Sequence, residues 1–285
     1  MSTSRVAAVP SHSGVRRPQA VWSSLCLVML LAFLALAPFP AWAAPLTITA
    51  ARMHSDSASG VVVAEGGVRI SDGVTVAVGR RLVLDTRRQR AILIQGTVRG
   101  REGVLEGLEI TLRFTPTRLK EVTARGEASI ETRRGVLFAH EITIVLTEDR
   151  LTATGGVRVF APPDMLATGS GLTYNRRTGR VTLAGPVTVQ TGQGKVTGQR
   201  LEGVEGLQQA RVSGDVRAIF RDITARADAA TFDALAQKVI LTGAVRVQQD
   251  GRTLEGTRVT IFYTTGQIIV EGPMRLRFVP GPTAP

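Results

Sequence analysis

The chain has 285 residues, a formal net charge of +12, 44% hydrophobic residues and a single cysteine. One cysteine excludes a framework of intramolecular disulfides, so burial and backbone hydrogen bonds must hold the fold together. The excess of Lys and Arg favours an anionic partner, such as nucleic acid, acidic polysaccharide or phosphorylated lipid.

Residues 1–43 are predicted to be a secretory signal peptide. Three arginines without any acid precede the apolar run Leu25–Ala37, and Ala41–Ala43 supplies a small-x-small cleavage site. An uncleaved membrane anchor is the alternative, although the apolar run is short for a span of ~20 residues. Cleavage would remove the cysteine and leave a net charge of +9. Export from the cytoplasm argues against a nucleic-acid partner.

A glycine-centred segment recurs eight times along residues 44–279, at steps of 29 or 30 residues, which indicates a repeat protein. It is clearest in Lys238–Val247. Apolar residues stand four and two positions before the glycine and two after it, and this period of two predicts a half-buried strand. The glycine is predicted on the apolar side, where it permits a bend or a close backbone approach. The glycines are Gly66, Gly96, Gly126, Gly155, Gly185, Gly214, Gly243 and Gly272.

A second segment lies between the glycine strands and is most complete in Leu254–Ile261. In this segment a small residue is followed three positions later, and not two, by the next apolar residue. The apolar side chains therefore change from one face of the strand to the other at this point, as a bulge or sharp bend requires. No helix of normal length is predicted. Each unit contributes at least two strands, and eight units stacked at ~4.8 Å per strand span roughly 75 Å. The proline-rich residues 280–285 are predicted to be a disordered tail.

The repeated unit resembles the OstA-type repeat of LptA, LptC and the N-terminal part of LptD, which are periplasmic lipopolysaccharide-transport proteins. Leu241–Val247 and Leu254–Tyr263 carry the resemblance best. It implies an all-β fold, namely an elongated, V-shaped antiparallel β-jellyroll or solenoid-like sheet pair. It also implies a lipopolysaccharide bridge between the inner and outer membranes, with acyl chains in an apolar groove. LptC-like and LptD-like OstA domains, or further copies of the chain, are the implied partners. The chain has about twice as many repeats as a short LptA. This leaves three possibilities open, namely one long bridge segment, a fusion, or a relative that carries another lipid.

The apolar ladders are the candidate groove for lipopolysaccharide or a related anionic lipid. The same ladders can pack on each other as a closed core, which is usual in repeat proteins, and the sequence leaves both arrangements open. The candidate groove residues are Val62, Ala64, Val68, Ile70, Ile92, Ile94, Val98, Ile110, Leu112, Ile142, Ile144, Leu151, Val157, Val159, Val181, Leu183, Val187, Val189, Val212, Val216, Val239, Leu241, Val245, Val247, Val259, Ile261, Ile268, Val270 and Met274.

Arginines recur three residues after the glycine, where parity places them outside. They are candidates for contacts to lipid headgroups, because arginine binds phosphate through two parallel hydrogen bonds. A solvated sheet face that discourages aggregation is the more usual role of such residues. The four candidates are Arg69, Arg158, Arg217 and Arg246.

Neither a catalytic site nor a metal or cofactor site is predicted. His54 and His140 lack metal-ligand spacing, and no nucleophile-elbow or phosphate-loop motif occurs. Three hypotheses remain open. The protein is a periplasmic lipid-transport bridge, a membrane-anchored LptC-like subunit of the lipopolysaccharide exporter, or a structural or adhesive β-solenoid that transports nothing.

Overall fold

The computed structural model describes residues 47–71, 75–100, 103–115, 118–162, 164–192, 194–204, 209–233, 235–249, 251–262 and 265–278. The predicted signal peptide and the predicted tail lie outside these residues. Within them, no helix is long and apolar enough to cross a membrane.

The described residues form one antiparallel sheet in which consecutive strands are neighbours, except at its two ends. The strands are β1 Thr47–Thr49, β2 Arg52–Asp56, β3 Val61–Ser71, β4 Val76–Asp85, β5 Arg90–Arg99, β6 Gly103–Thr115, β7 Arg118–Thr132, β8 Gly135–Val145, β9 Arg150–Ala161, β10 Met165–Asn175, β11 Arg180–Thr191, β12 Gly194–Val204, β13 Gln209–Phe220, β14 Ile223–Asp233, β15 Lys238–Gln249, β16 Arg252–Phe262, β17 Gln267–Glu271 and β18 Arg275–Phe278. Strands β1 and β2 both pair with β3, and β17 and β18 both pair with β16. The all-β antiparallel fold predicted from the sequence is confirmed.

A bulge interrupts the odd-numbered strands from β3 to β15 near their middle, with the exception of β5. The recurrent glycine opens the bulge with φ between +71° and +99° in all repeats except that of Gly96. Glycine adopts such angles without steric cost, which explains why it recurs. The predicted bend is therefore confirmed in these repeats, but the predicted facing of their glycines is wrong. Gly96 is buried and faces Leu93 and Ile110, as predicted. The other glycines lie on the outer face, where a side chain from the preceding segment covers the bulge. A Cβ on Gly155 would lie 2.5 Å from the Cβ of His140.

Strand β5 departs from the other repeats, and this corrects two predicted groove residues. Gln95 takes the positive φ of 48°, and the pairing of β5 with its neighbours shows no register shift. The other odd strands carry one extra, bulged residue at this point, which β5 lacks. In β5 the buried positions therefore switch from odd-numbered to even-numbered residues between Leu93 and Gly96. Leu93 is therefore fully buried, whereas Ile92 and Ile94 face outward and are partly exposed.

The bulges of the odd strands lie along one line across the sheet, which we call the bulge line. Where an even-numbered strand crosses this line, it carries a small residue that faces inward. A Cβ on Gly198 would lie 2.5 Å from Val212 Cγ1, and one on Gly169 would lie 2.8 Å from Leu183 Cγ. The small residue is required because the large side chain of the next strand fills this space. The predicted three-residue step of the second segment is confirmed, since inward side chains change parity here.

The bulge line divides the sheet into two halves. Half-sheet A contains the parts of odd strands before the bulge with their partners, such as Val239–Thr242 paired with Arg258–Ile261, and half-sheet B contains the remainder. Inward side chains of both halves belong to one buried cluster. Since no other layer exists among the described residues, the halves must cover each other.

A ring contact shows the sheet folding back on itself. Phe220 pairs with Ile223 at one end of β14, and Phe232 lies nine residues further along that strand. Nine residues of straight strand would span roughly 30 Å. The centroids of the Phe220 and Phe232 rings are nevertheless 6.5 Å apart, in an edge-on arrangement. The two half-sheets therefore meet at the margin opposite the bulge line, at least at this pair of strands.

Candidate functional site

Each half-sheet presents an uninterrupted apolar row to the interior. The rows follow directly from the pairing of neighbouring strands and contain sixteen positions each. In half-sheet A the row is Met53, Ala64, Leu82, Leu93, Ile110, Ala124, Ile142, Ala153, Leu172, Leu183, Leu201, Val212, Ala230, Leu241, Val259 and Val270. In half-sheet B it is Ile48, Ile70, Ala77, Val98, Leu105, Ile130, Leu137, Val159, Ala167, Val189, Val196, Ala218, Ala225, Val247, Leu254 and Leu276.

The interior is closed in its middle and exposed at its two ends. Ile142 and Leu183 are completely buried, whereas Met53 at one end is 52% exposed and Leu276 at the other is 63% exposed. Among the described residues, the buried polar groups are four threonine side chains, the hydroxyl of the fully buried Tyr174 and the Nε of Arg90. The two inner rows themselves are apolar from one edge of the sheet to the other.

Most of the predicted groove residues lie on the inner face. Ile92 and Ile94 face outward, as described above. Met274 is 70% exposed and lies in the break between β17 and β18, so it is not a groove residue in this structure. Four candidates lie on the inner face but are only half-buried, namely Val62, Val189, Ile268 and Val270. Whether the inner residues bind lipid stays a prediction.

The candidate set omitted several large inner side chains. Leu82, Leu172 and Leu201 belong to the second segment, whose pattern already marked them as apolar. The aromatic pair Phe220 and Phe232 closes the margin. Phe232 stands at the last apolar position of the second segment in its repeat, whereas no periodic signal identifies Phe220.

The four predicted headgroup arginines lie on the outer face of half-sheet B, as parity predicts. Arg217 pairs with Asp215 at 3.2 Å, and Arg246 Nε lies 3.7 Å from Glu255 Oε1. The Arg158 guanidinium carbon stands 5.6 Å from the centroid of the Phe138 ring. Because they face away from the interior, these arginines cannot contact acyl chains held between the halves.

On the outer face of half-sheet A, arginines and glutamates of neighbouring strands form ion pairs. Arg81 pairs with Glu65 at 3.1 Å, and Arg125 pairs with Glu141 at 2.7 Å. The hydrogen bond to Glu141 raises the pKa of Arg125 above its ordinary value. Such exposed pairs contribute little stability, but they leave this face balanced in charge.

Part of the chain is similar to known proteins. Residues 199–267 match the family described as LptA/(LptD N-terminal domain) LPS transport protein. A similar solved structure is LptH, the LptA homologous periplasmic component of the conserved lipopolysaccharide transport device from Pseudomonas aeruginosa. It is 18% identical, covers 47% of this chain and 77% of its own, and gives a TM-score of 0.26. No curated protein sequence matches the chain. The match over residues 199–267 confirms the predicted resemblance to this family for that part of the chain.

Proposed function

We propose that the protein is a periplasmic carrier of lipopolysaccharide, or of a related anionic lipid, whose acyl chains lie between the half-sheets. The observation that supports this most is the pair of apolar rows that run unbroken from edge to edge. At ~4.8 Å per strand, fifteen steps of such a row extend roughly 70 Å. A body of this length with exposed apolar ends can join LptC-like and LptD-like OstA domains, or further copies of itself, into a bridge between the membranes.

The energetics of lipid transfer require such continuous cover. Each exposed CH₂ group costs about 0.8 kcal/mol in water, so a ~12-carbon chain costs on the order of 10 kcal/mol. A polar residue anywhere along the path would interrupt the cover. The inner rows contain none from Met53 to Val270 or from Ile48 to Leu276.

The closed interior implies that the half-sheets part to admit a lipid. The ladder hydrogen bonds run between neighbouring strands within each half, so separating the halves breaks side-chain packing and not the ladders. The halves are joined along the bulge line, so a given bend there separates them most at the opposite margin. Phe220 and Phe232 lie at that margin.

Binding of lipid A to the purified exported protein tests the proposal. We expect saturable binding that competes with lipopolysaccharide, alongside a known lipid-A binder as positive control. Complete burial of inner residues such as Ile142 and Leu183 favours a second candidate function, a structural β-solenoid with a permanent core. Absence of binding with a working positive control would support that second function.

The N-terminus of the exported protein is expected at Ala44, because Ala41–Ala43 forms the cleavage site. N-terminal sequencing of protein recovered from the periplasm and from the membrane fraction checks this. A chain that retains Leu25–Ala37 in the membrane would instead support the anchored LptC-like alternative.

Replacing Phe220 and Phe232 together by alanine is expected to accelerate lipid-A uptake about fivefold. An edge-on ring pair contributes on the order of 1 kcal/mol beyond its buried area, and its loss makes the margin easier to open. The outer pair Phe138 and Phe160, with centroids 5.9 Å apart, is the matched control. Stopped-flow displacement of a fluorescent lipid measures the rate. Equal acceleration in both double variants would contradict a role for this margin.

A further inference from the structure

Two neighbouring hairpins of half-sheet A carry an excess of cations. They join β4 to β5 and β6 to β7 at the margin opposite the bulge line, where Phe232 also lies. The hairpins are adjacent, because the Phe114 N–H donates to the Gln89 carbonyl oxygen at 3.0 Å. Together they contain six cations and two acids, which we call the hairpin cluster, namely Arg87, Arg88, Arg90, Arg113, Arg118 and Lys120 with Asp85 and Glu121.

The two acids leave several cations of the hairpin cluster without a partner. Asp85 Oδ2 lies 3.6 Å from Arg88 Nη1, and Glu121 Oε1 lies 3.8 Å from Arg113 Nε. Both distances are too long for hydrogen bonds, so these acids do not occupy the guanidinium donors. Within the described part of the chain, no acid forms an ion pair with Arg87, Arg90 or Lys120.

The acids of the flanking hairpins do not restore the balance of charge. On one side Asp56 accepts hydrogen bonds within its own turn. On the other side Glu148 pairs with Arg150 at 2.7 Å, and Asp149 pairs with Arg176. Counting Asp56 with the hairpin cluster still leaves six cations against three acids. The adjoining outer face has the balanced ion pairs described above.

Two arginines of the hairpin cluster lie directly opposite each other. Arg90 on β5 pairs across the strands with Arg113 on β6, and like charges at such positions destabilise a sheet. Arg90 is half-buried, and its Nε is buried without a hydrogen-bond acceptor. A buried donor without a partner also costs stability and is rare in native proteins. Both features indicate that this pair lacks an acceptor that the chain does not supply.

The hairpin cluster borders the interior. Ala91 and Leu112, which adjoin Arg90 and Arg113 in the sequence, pair across the strands and are buried on the inner face. One residue along a strand is a step of ~3.3 Å, so the two arginines begin just beyond a buried apolar pair. A phosphate attached to acyl chains between the half-sheets would therefore emerge beside the hairpin cluster.

We propose that the hairpin cluster, chiefly through Arg87, Arg90 and Arg113, binds the phosphate groups of the lipid whose acyl chains lie between the half-sheets. A guanidinium group binds phosphate through two parallel hydrogen bonds. An acidic protein fits less well, because the described residues of these hairpins expose no large apolar side chain, whereas protein interfaces have an apolar centre. The inference rests on the proposed function, since it concerns the headgroup of the same lipid.

Three arginines elsewhere on half-sheet A supply a matched control. Arg200, Arg211 and Arg258 lie in strands β12, β13 and β16. Arg200 pairs with Glu202 at 2.7 Å, and Arg258 pairs with Glu271 at 2.9 Å. Glutamine at these three positions removes the same charge from the protein and leaves the hairpin cluster intact.

Competition against a fluorescent lipid tests the inference with two forms of lipid A. One form keeps its phosphates, and the other has the same acyl chains with the phosphates removed. The wild-type exported protein, R87Q/R90Q/R113Q and R200Q/R211Q/R258Q are compared, with residues 1–43 processed identically in all three. Inorganic pyrophosphate is tested as a soluble competitor.

We expect the wild type to bind phosphorylated lipid A at least about tenfold more tightly than the dephosphorylated form. The hairpin variant should lose about thirtyfold in affinity for the phosphorylated form and less than about threefold for the other. Its retained binding of the dephosphorylated form shows that it is folded. The control variant should lose less than about threefold with either form, because its arginines lie away from the margin.

Three results would overturn the inference and leave the proposed function standing. These are equal losses of the hairpin variant with both forms, equal losses in the two triple variants, and no preference of the wild type for the phosphorylated form. Pyrophosphate that binds as tightly as lipid A would also overturn it and assign the hairpin cluster to a soluble phosphate compound. A wild type that binds neither form would refute the proposed function, and the inference with it.

Discussion

Replacing Gly169 by valine should lower the free energy of unfolding by about 3 kcal/mol. The new Cβ would lie 2.8 Å from Leu183 Cγ and 3.0 Å from the carbonyl oxygen of Ala184. A carbonyl in a paired strand cannot move away without breaking its ladder, and overpacking a core typically costs 1–3 kcal/mol. The effect follows from the fold because Gly169 stands where the strand crosses the bulge line and faces inward.

Gly171 on the same strand is the control for this prediction. The nearest atom to a Cβ at Gly171 is the Ala153 carbonyl oxygen at 3.6 Å, which is ordinary van der Waals contact. Gly171→Val should change stability by less than about 1 kcal/mol, since valine suits strands. Urea unfolding followed by circular dichroism measures both variants. Equal destabilisation of the two would show that the inward line of small residues is misassigned.

The second large effect is expected from a charge placed in the interior. Leu183 is completely buried between the half-sheets. Leu183→Asp should cost more than about 4 kcal/mol, because an isolated carboxylate cannot be buried in an apolar interior without a partner. The protein should therefore melt far below the wild type or fail to fold.

Thr188→Asp places the same carboxylate on the outer face of the same strand, opposite Thr168 and Thr197. Thermal melts of the two variants should differ by more than about 10 °C. A Leu183→Asp protein that melts like Thr188→Asp would show that water already fills the interior, and the closed packing of the half-sheets would then be wrong.

The ladders of the odd strands were predictable because the glycine fixes their phase. Val157, Val216 and Val245 follow their glycines by two residues and all are buried. The prediction failed in β5 because Gln95 takes the left-handed angle that glycine takes elsewhere. Nothing in the local sequence indicates that Gln95 takes this angle, since Gly96 stands at the expected position.

Two features of the candidate sites depended on information that a repeat pattern lacks. Period two gives the facing of a side chain but not the angle between half-sheets, so the contact of Phe220 with Phe232 needed coordinates. Arg90 and Arg113 lie on different strands, and their direct pairing depends on the register of β5 with β6. The arginines in the turn before β5 were the available signal.

Photo-crosslinking at phenylalanine positions tests the central claim most directly. Benzoylphenylalanine replaces Phe114 or Phe232, which pack against the buried core, or Phe160, which is 41% exposed on the outer face. After irradiation with bound lipid A, the adduct should form from positions 114 and 232 and be absent from position 160. An adduct from position 160 alone, or equal adducts from all three positions, would contradict transport of acyl chains between the half-sheets.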